Sequence, residues 1–104
     1  MIISSWNIRG MNSPGKIKEV RNFLDENKIT IIGLVETKIK EHKAANVQKK
    51  LGSMWSWSTN YNHHRNGRVW VGWRKDKCKV HICGSHVQYI AAKITPQELS
   101  LIHI

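Results

Sequence analysis

Two residues with oxygen-bearing side chains follow two apolar segments of the chain. Asn7 comes shortly after the apolar residues 1–3, and Glu36 comes directly after the apolar run at residues 29–35. Both segments have the composition of buried strands. If the strands are parallel neighbours, they end at the same edge of one sheet and bring Asn7 and Glu36 together. Amide and carboxylate oxygens suit Mg²⁺ far better than Zn²⁺, so this pair would begin a magnesium site.

The segment between these two residues has the pattern of an amphipathic helix. Ser13 is a good N-cap, and Pro14 stands at the first helical position, where its missing N–H costs nothing. Apolar residues then recur at helical spacing, namely Ile17, Val20 and Leu24. Asn27 is predicted to end the helix. With strands at residues 1–8 and 30–35, the pattern predicts a βαβ unit with a right-handed crossover.

The second half of the chain predicts one short helix followed by antiparallel strands. The helix covers residues 43–51 and is closed by Gly52. The strands are expected at residues 54–59, 68–73, 79–83 and 87–94. Residues 60–67 form a polar loop with an Asn66-Gly67 hairpin signal, and residues 75–77 form a turn. The predicted fold is therefore α/β, with a mixed sheet that opens as βαβ and continues with antiparallel strands.

The composition indicates a small basic protein with a polyanionic partner. The 104 residues allow one domain at most, and 17 Lys and Arg against 7 Asp and Glu give a net charge of +10. Such an excess favours nucleic acid first and anionic membrane surfaces second. Two cysteines cannot form a disulfide framework, and no leader or membrane-spanning segment is evident. We therefore expect an intracellular, reducing setting, nuclear or cytoplasmic, with no membrane and no disulfide partner.

Four motifs resemble those of the endonuclease/exonuclease/phosphatase superfamily. They are Ser-Trp-Asn-Ile-Arg-Gly at 5–10, Lys-Glu-Val-Arg at 18–21, Ile-Gly-Leu-Val-Glu-Thr-Lys at 32–38 and Asn-Gly-Arg-Val-Trp-Val-Gly-Trp at 66–73. The sequences of these motifs are most similar to those of the apurinic-type endonuclease domain of plant LINE-type (non-LTR) retrotransposons. The resemblance covers roughly residues 2–95, so residues 1–95 are predicted to form a partial domain of this superfamily. Residues 96–104 are an unmatched tail that indicates truncation or an artefact.

The resemblance implies a Mg²⁺-dependent phosphodiesterase with a four-layered α/β sandwich, of which this chain is the N-terminal half. It assigns Asn7 and Glu36 the metal-holding and catalytic roles. Arg9, Asn12 and Arg68 are candidate phosphate or DNA contacts. The implied partner is DNA, nicked to prime retrotransposition, with a reverse transcriptase in the same polyprotein of intact relatives.

The groups that activate water in such enzymes are not found in this sequence. The resemblance implies a His paired with an Asp, but the chain has no Gly-Asp-Phe-Asn-like or Ser-Asp-His-like stretch. We therefore expect a truncated endonuclease that is inactive alone and binds Mg²⁺ weakly or not at all. Two alternatives remain open: a non-catalytic basic module that binds nucleic acid, and a phosphatase that acts on a different phosphoester.

Other residues with chemical potential have simpler interpretations. The Cys and His residues at 78, 81, 83 and 86 have zinc-like spacing, but strand alternation points them to opposite faces, so packing is favoured. His63 and His64 could touch a phosphate, but no Asp partner is evident for catalysis. Trp55 and Trp57 share a strand face, as core aromatics do, with a base-stacking platform as the alternative. Trp6 is likewise interpreted as a packing residue.

Overall fold

The computed structural model describes residues 1–61, 69–86 and 88–96. Two helices and six strands occupy these ranges. Their order is β1 (Ile3–Asn7), α1 (Pro14–Glu26), β2 (Ile31–Val35), α2 (Glu41–Leu51), β3 (Trp55–Thr59), β4 (Val69–Arg74), β5 (Cys78–Ser85) and β6 (Ile90–Pro96). Each predicted element is present, and α2 begins two residues earlier than the sequence pattern indicates. Neither helix in the described ranges has the length and apolarity needed to cross a membrane.

The ends of α1 confirm the sequence prediction. Ser13 has an extended backbone, and its side-chain oxygen accepts a hydrogen bond from the backbone N–H of Lys16 at 3.2 Å. Pro14 occupies the first turn, and Asn27 is the C-cap. The N-cap satisfies one of the N–H groups that a helix start leaves without an intrahelical acceptor. Local chemistry therefore fixes where the crossover helix begins and ends.

Four strands form a mixed sheet in the order β1-β2-β4-β3. β1 and β2 are parallel neighbours, while β4 is antiparallel to both β2 and β3. Strands β5 and β6 form a separate antiparallel hairpin with a register irregularity between Ile82 and Gly84. The prediction of a mixed sheet with a βαβ opening is confirmed. The later antiparallel strands are divided between two sheets, because β3 and β4 belong to the mixed sheet while β5 and β6 lie outside it.

Both helices pack on one face of the four-stranded sheet. The helices contribute buried residues at helical spacing, Ile17, Val20 and Leu24 from α1 and Ala44, Val47 and Leu51 from α2. They meet Ile32, Leu34, Trp55 and Trp70 of the sheet in one hydrophobic cluster. Trp6 is half-buried beside this cluster, with its ring centroid 5.2 Å from that of Phe23. Trp6 and Trp55 are therefore packing residues, as expected.

A glycine allows the closest contact within this core. A Cβ atom at Gly72 would lie 2.4 Å from the Trp57 ring, so Trp57 sits directly over the backbone of β4. The ring also forms an edge contact with Trp70, with a centroid separation of 5.6 Å. Trp57 is thus held by the core, although it is only half-buried.

One residue of the predicted polar loop is buried. Asn60 lies in a loop directly after β3, as predicted, but its side chain is fully buried. Its Oδ1 accepts from the backbone N–H of Val69 at 2.9 Å, and its Nδ2 donates to the carbonyl of His86 at 3.1 Å. The side chain therefore joins the ends of β3 and β4 to the β5–β6 hairpin. A buried amide needs such partners, because an unpaired one would cost about 1–3 kcal/mol.

Several predictions fall outside the described residues. They are the Asn66-Gly67 turn, the candidate contacts His63, His64 and Arg68, and nearly all of the 96–104 tail. Pro96, the first residue of that tail, is the last residue of β6.

Candidate functional site

The carboxyl ends of β1 and β2 lie side by side, as the sequence predicts. Asn7 is the register partner of Val35, the residue before Glu36. Beyond the strands, the backbone N–H of Gly10 donates to the Glu36 carbonyl at 2.8 Å, and that of Met11 donates to the Thr37 carbonyl at 2.8 Å. The two loops therefore run together for several residues past the sheet. We call residues 7–12 and 36–40 the strand-end edge.

The backbone at the strand-end edge is strained. Arg9, Glu36 and Lys38 have positive φ angles of 53°, 57° and 55°. In the described ranges the other non-glycine residue of this kind is Lys28, which follows α1. A left-handed conformation costs an L-residue roughly 1–2 kcal/mol, and such strain concentrates at ligand sites. Three strained residues in two adjoining loops thus mark this edge as a candidate site.

The two predicted ligands are available at this edge. Asn7 is exposed, on the opposite face of β1 from Trp6. Glu36 is half-buried, and in the described ranges its carboxylate makes no hydrogen bond or ion pair. The edge thus offers one carboxylate and one amide oxygen.

Two of the three candidate phosphate contacts lie at the strand-end edge. Arg9 and Asn12 are exposed in the loop after β1, close in sequence to Asn7. Arg68 lies outside the described residues. Lys38, to which the sequence analysis gave no role, places its side chain against Gly10, where an added Cβ would lie 3.7 Å from the Lys38 Cδ atom. The structure therefore places the charged side chain of Lys38 between the loop that carries Arg9 and the loop that carries Glu36.

A half-buried tyrosine supports the loop that carries Glu36. The Tyr61 hydroxyl donates to the Ile39 carbonyl at 2.6 Å and accepts from the Trp70 indole Nε1–H at 3.3 Å. Burial raises the pKa of Tyr61, the nearby Glu41 carboxylate raises it further, and the Trp70 hydrogen bond opposes both effects. The hydroxyl therefore stays protonated and ties the end of the loop to the core.

The sequence does not reveal the hydrogen bond by which Tyr61 supports this loop. Tyr61 and Ile39 lie 22 residues apart, and no local spacing connects them. The sequence also gives no indication of the positive φ angles of Glu36 and Lys38, because neither residue type favours that conformation.

The zinc-like set of residues does not converge. Cys78 is buried, with its Sγ 3.7 Å from the Arg74 carbonyl oxygen, while Cys83 is exposed. The two sulfurs are not joined in a disulfide. Within the part of the chain that the structure describes, no three His, Cys, Asp or Glu side chains form a group that could hold a metal ion.

The chain matches no protein-family model, and no curated protein matches it. The family resemblance therefore rests on the motifs quoted above. The site itself rests on geometry: two parallel strand ends, three strained residues and one carboxylate that makes no hydrogen bond or ion pair within the described ranges.

Proposed function

We propose that the strand-end edge is the metal- and phosphate-holding part of a Mg²⁺-dependent DNA endonuclease site of the endonuclease/exonuclease/phosphatase type. The observation that carries the proposal is the parallel pairing of β1 and β2. This pairing brings Asn7 and Glu36 to one edge in loops with strained backbones. Ligands commonly bind outside the carboxyl ends of strands in open α/β sheets, which is where this edge lies.

The residues present fit Mg²⁺ as part of its coordination shell. Mg²⁺ is commonly held by one or two carboxylates, with water and substrate phosphate completing the shell. The half-buried carboxylate of Glu36 and the exposed amide of Asn7 supply oxygen donors of the right kind. When bound, the ion would neutralise charge on a scissile phosphate. Arg9 and Lys38 add positive charge for the neighbouring phosphates.

By itself the chain is proposed to bind DNA, and Mg²⁺ only weakly, rather than to cleave DNA. Removing a general base typically lowers a rate by 10²–10⁴-fold. No Gly-Asp-Phe-Asn-like or Ser-Asp-His-like stretch occurs in the sequence to supply one. We therefore expect no efficient nicking of supercoiled plasmid. Nicking that requires Mg²⁺ and disappears in Glu36→Ala would refute this part of the proposal.

Metal binding at the edge can be tested without activity. Mn²⁺ is a paramagnetic substitute for Mg²⁺ and broadens the NMR signals of nearby amides. We expect broadening of the amide signals of residues 7–10 and 36–38, and its loss in Glu36→Gln. The matched control is Glu26→Gln, which removes an exposed carboxylate of α1 and should leave the broadening unchanged. Broadening that persists in Glu36→Gln, or that occurs elsewhere in the chain, would disprove the site.

The proposal also concerns the wider fold. It implies that the four-stranded sheet is one of the two sheets of a four-layered sandwich. Ile3 and Val35 support this, because they are apolar, exposed and on the face away from the helices. Exposed apolar residues on a sheet face are typical of a surface that binds another layer.

A second candidate function is non-catalytic nucleic-acid binding. It is favoured by the net charge of +10, which attracts a phosphate backbone without any metal. DNA affinity that falls steeply with salt and does not change on adding Mg²⁺ would support this function. Affinity that depends on Mg²⁺ and Glu36 would support the endonuclease-type site.

A further inference from the structure

A groove on the outer surface between α1 and α2 combines positive charge with a small apolar floor. Its volume is about 490 Å³. The lining residues are Pro14, Ile17, Lys18, Arg21, Asn22 and Lys50. Three of the six are cationic and none is acidic, so the groove differs from an ordinary solvated helix face.

The charges of this groove are not neutralised by nearby carboxylates. In the described ranges, the ion pairs join Lys16 to Glu19 and Arg74 to Asp76. Neither pair includes a cation of the groove. A second groove, which carries Lys28, Arg74 and Lys77, contains Asp25 in its own lining. The three cations of the α1–α2 groove are therefore in no ion pair within the described ranges.

One hydrogen bond fixes the arrangement of the cations. Arg21 Nη1 donates to the backbone carbonyl of Lys50 at 3.2 Å. A guanidinium has five N–H donors, and this contact uses one of them. Because the acceptor lies at the end of α2, the bond holds Arg21 beside Lys50. Lys18 lies one turn earlier on α1, about 5–6 Å from Arg21 between Cβ atoms.

From these features we propose that the α1–α2 groove binds the phosphate backbone of duplex DNA. The stretch of α1 from Pro14 to Arg21 is about 10 Å long, at about 1.5 Å per residue. This length matches the rise of about three nucleotides of one strand. Lys18 and Arg21 lie on this stretch and Lys50 lies beside Arg21 on α2, so the three cations can contact neighbouring phosphates. A guanidinium suits phosphate especially well. The groove presents no exposed large apolar side chain for insertion into a lipid surface.

The groove starts close to the strand-end edge. Pro14 follows Asn12 by two residues, so a duplex bound along the groove can continue toward Asn7 and Glu36. The inference depends on the proposed function only for the identity of the polyanion. It adds a contact surface that requires no metal.

The test measures how DNA affinity depends on salt. Binding of a fluorescein-labelled duplex is followed by fluorescence anisotropy over a NaCl series without Mg²⁺. The test variant carries Lys18→Gln, Arg21→Gln and Lys50→Gln. Each lost phosphate contact reduces the slope of log K against log salt by about 0.9, so we expect a reduction of roughly 2–3. An unchanged slope would overturn the proposal.

A matched control separates local contacts from total charge. Lys75→Gln, Lys77→Gln and Lys79→Gln together remove the same charge at the turn from β4 into β5 and at its first residues. We expect this variant to keep the wild-type slope. Equal losses in the two variants would mean that net charge, and not the groove, attracts DNA.

A double variant and a vesicle assay complete the test. The variant Lys18→Gln with Lys50→Gln retains the Arg21 hydrogen bond, so it replaces the triple variant if that protein does not fold. Its expected slope reduction is about 2, and no reduction overturns the proposal. Co-sedimentation with anionic vesicles tests whether the groove binds a membrane surface instead. Loss of vesicle binding in the triple variant, with an unchanged DNA slope, would assign the groove to lipid and overturn the proposal.

The two proposals can fail independently. Glu36→Gln should lose Mn²⁺ broadening and keep the metal-free salt slope. The triple variant should lose part of the slope and keep the broadening. If the broadening is absent from the wild type and the slope still falls in the triple variant, the groove stands without the metal site.

Discussion

The two faces of the four-stranded sheet differ sharply in how they are used. On the helix-covered face, Ile32, Leu34 and Trp70 are almost completely shielded from water. On the opposite face, Ile3 is 61% exposed and Val35 is 36% exposed. Asn7, a candidate ligand, lies on this open face at the end of β1. One face therefore stabilises the fold, and the other keeps its edge accessible.

The open face is not open everywhere. Ile31 and Val69 lie on it and are buried, and the β5–β6 hairpin contacts β4. The exposure is concentrated along β1 and the end of β2, next to the strand-end edge. Residues that stabilise the fold and residues that stay accessible are thus separated within one sheet, so variants on the two faces should behave differently.

The largest effect is expected from truncation on the covered face. Trp70→Ala removes a fully buried ring and leaves the Tyr61 hydroxyl without its indole donor. Substitutions of this type cost about 3–5 kcal/mol of unfolding free energy. Urea denaturation should show this loss. The contrasting variant Ile3→Ala, on the open face, should change stability by less than about 0.5 kcal/mol. Similar losses for both would contradict the comparison.

Two glycines allow the same comparison with a single methyl group. Gly72→Ala would push a Cβ into the Trp57 ring, and overpacking of this kind costs about 1–3 kcal/mol. Gly33→Ala, on the open face of the neighbouring strand, meets only Ser5 Cβ at 3.9 Å. We expect Gly33→Ala to be neutral or to stabilise by up to about 1 kcal/mol. Thermal or urea unfolding of the pair measures the difference, and equal destabilisation would mean that the open face is packed.

A smaller effect tests the strain at the strand-end edge. Glu36→Ala and Glu36→Gly both remove the carboxylate, but only glycine adopts the left-handed backbone conformation without steric strain. At an ordinary strand or helix position Ala is more stable than Gly by about 0.5–1 kcal/mol. At residue 36 we expect the reverse order, with Gly more stable by about 1 kcal/mol. Chemical denaturation of the two variants decides the order, and the usual ranking would show that the edge is unstrained.

The smallest effect is a pH dependence on the covered side. Because the pKa of Tyr61 is raised in the folded state, the unfolded chain loses this proton first as pH rises above about 10. Its contribution to stability is complete below that pH and is lost as pH rises through the folded pKa. Tyr61→Phe should weaken the alkaline loss of stability, measured by urea unfolding from about pH 9 to about pH 11. Tyr89→Phe, at an exposed position, is the control and should retain the wild-type profile. Identical profiles for Tyr61→Phe and wild type would show that the Tyr61 hydroxyl does not contribute to the loss of stability at alkaline pH.

Local sequence patterns were sufficient to predict much of the fold. Ser13, Pro14 and Asn27 set the limits of α1, and the apolar runs set β1 and β2, because caps and periodicity act over a few residues. The same signals placed Asn7 and Glu36 at neighbouring strand ends. The burial of Asn60 was not predicted, because an asparagine that bonds Val69 and His86 has the same local sequence signal as any loop asparagine.

Residue types within short segments were sufficient to predict the element order, the basic charge and the pair Asn7 and Glu36. The packing of distant segments produces three other features. It separates the β5–β6 hairpin from the sheet, imposes positive φ angles on Arg9, Glu36 and Lys38, and gathers Lys18, Arg21 and Lys50 around one groove. These features depend on contacts between distant segments, such as Arg21 with Lys50, which lie 29 residues apart. No local pattern encodes such contacts, because they form only when the helices pack on the same face of the sheet.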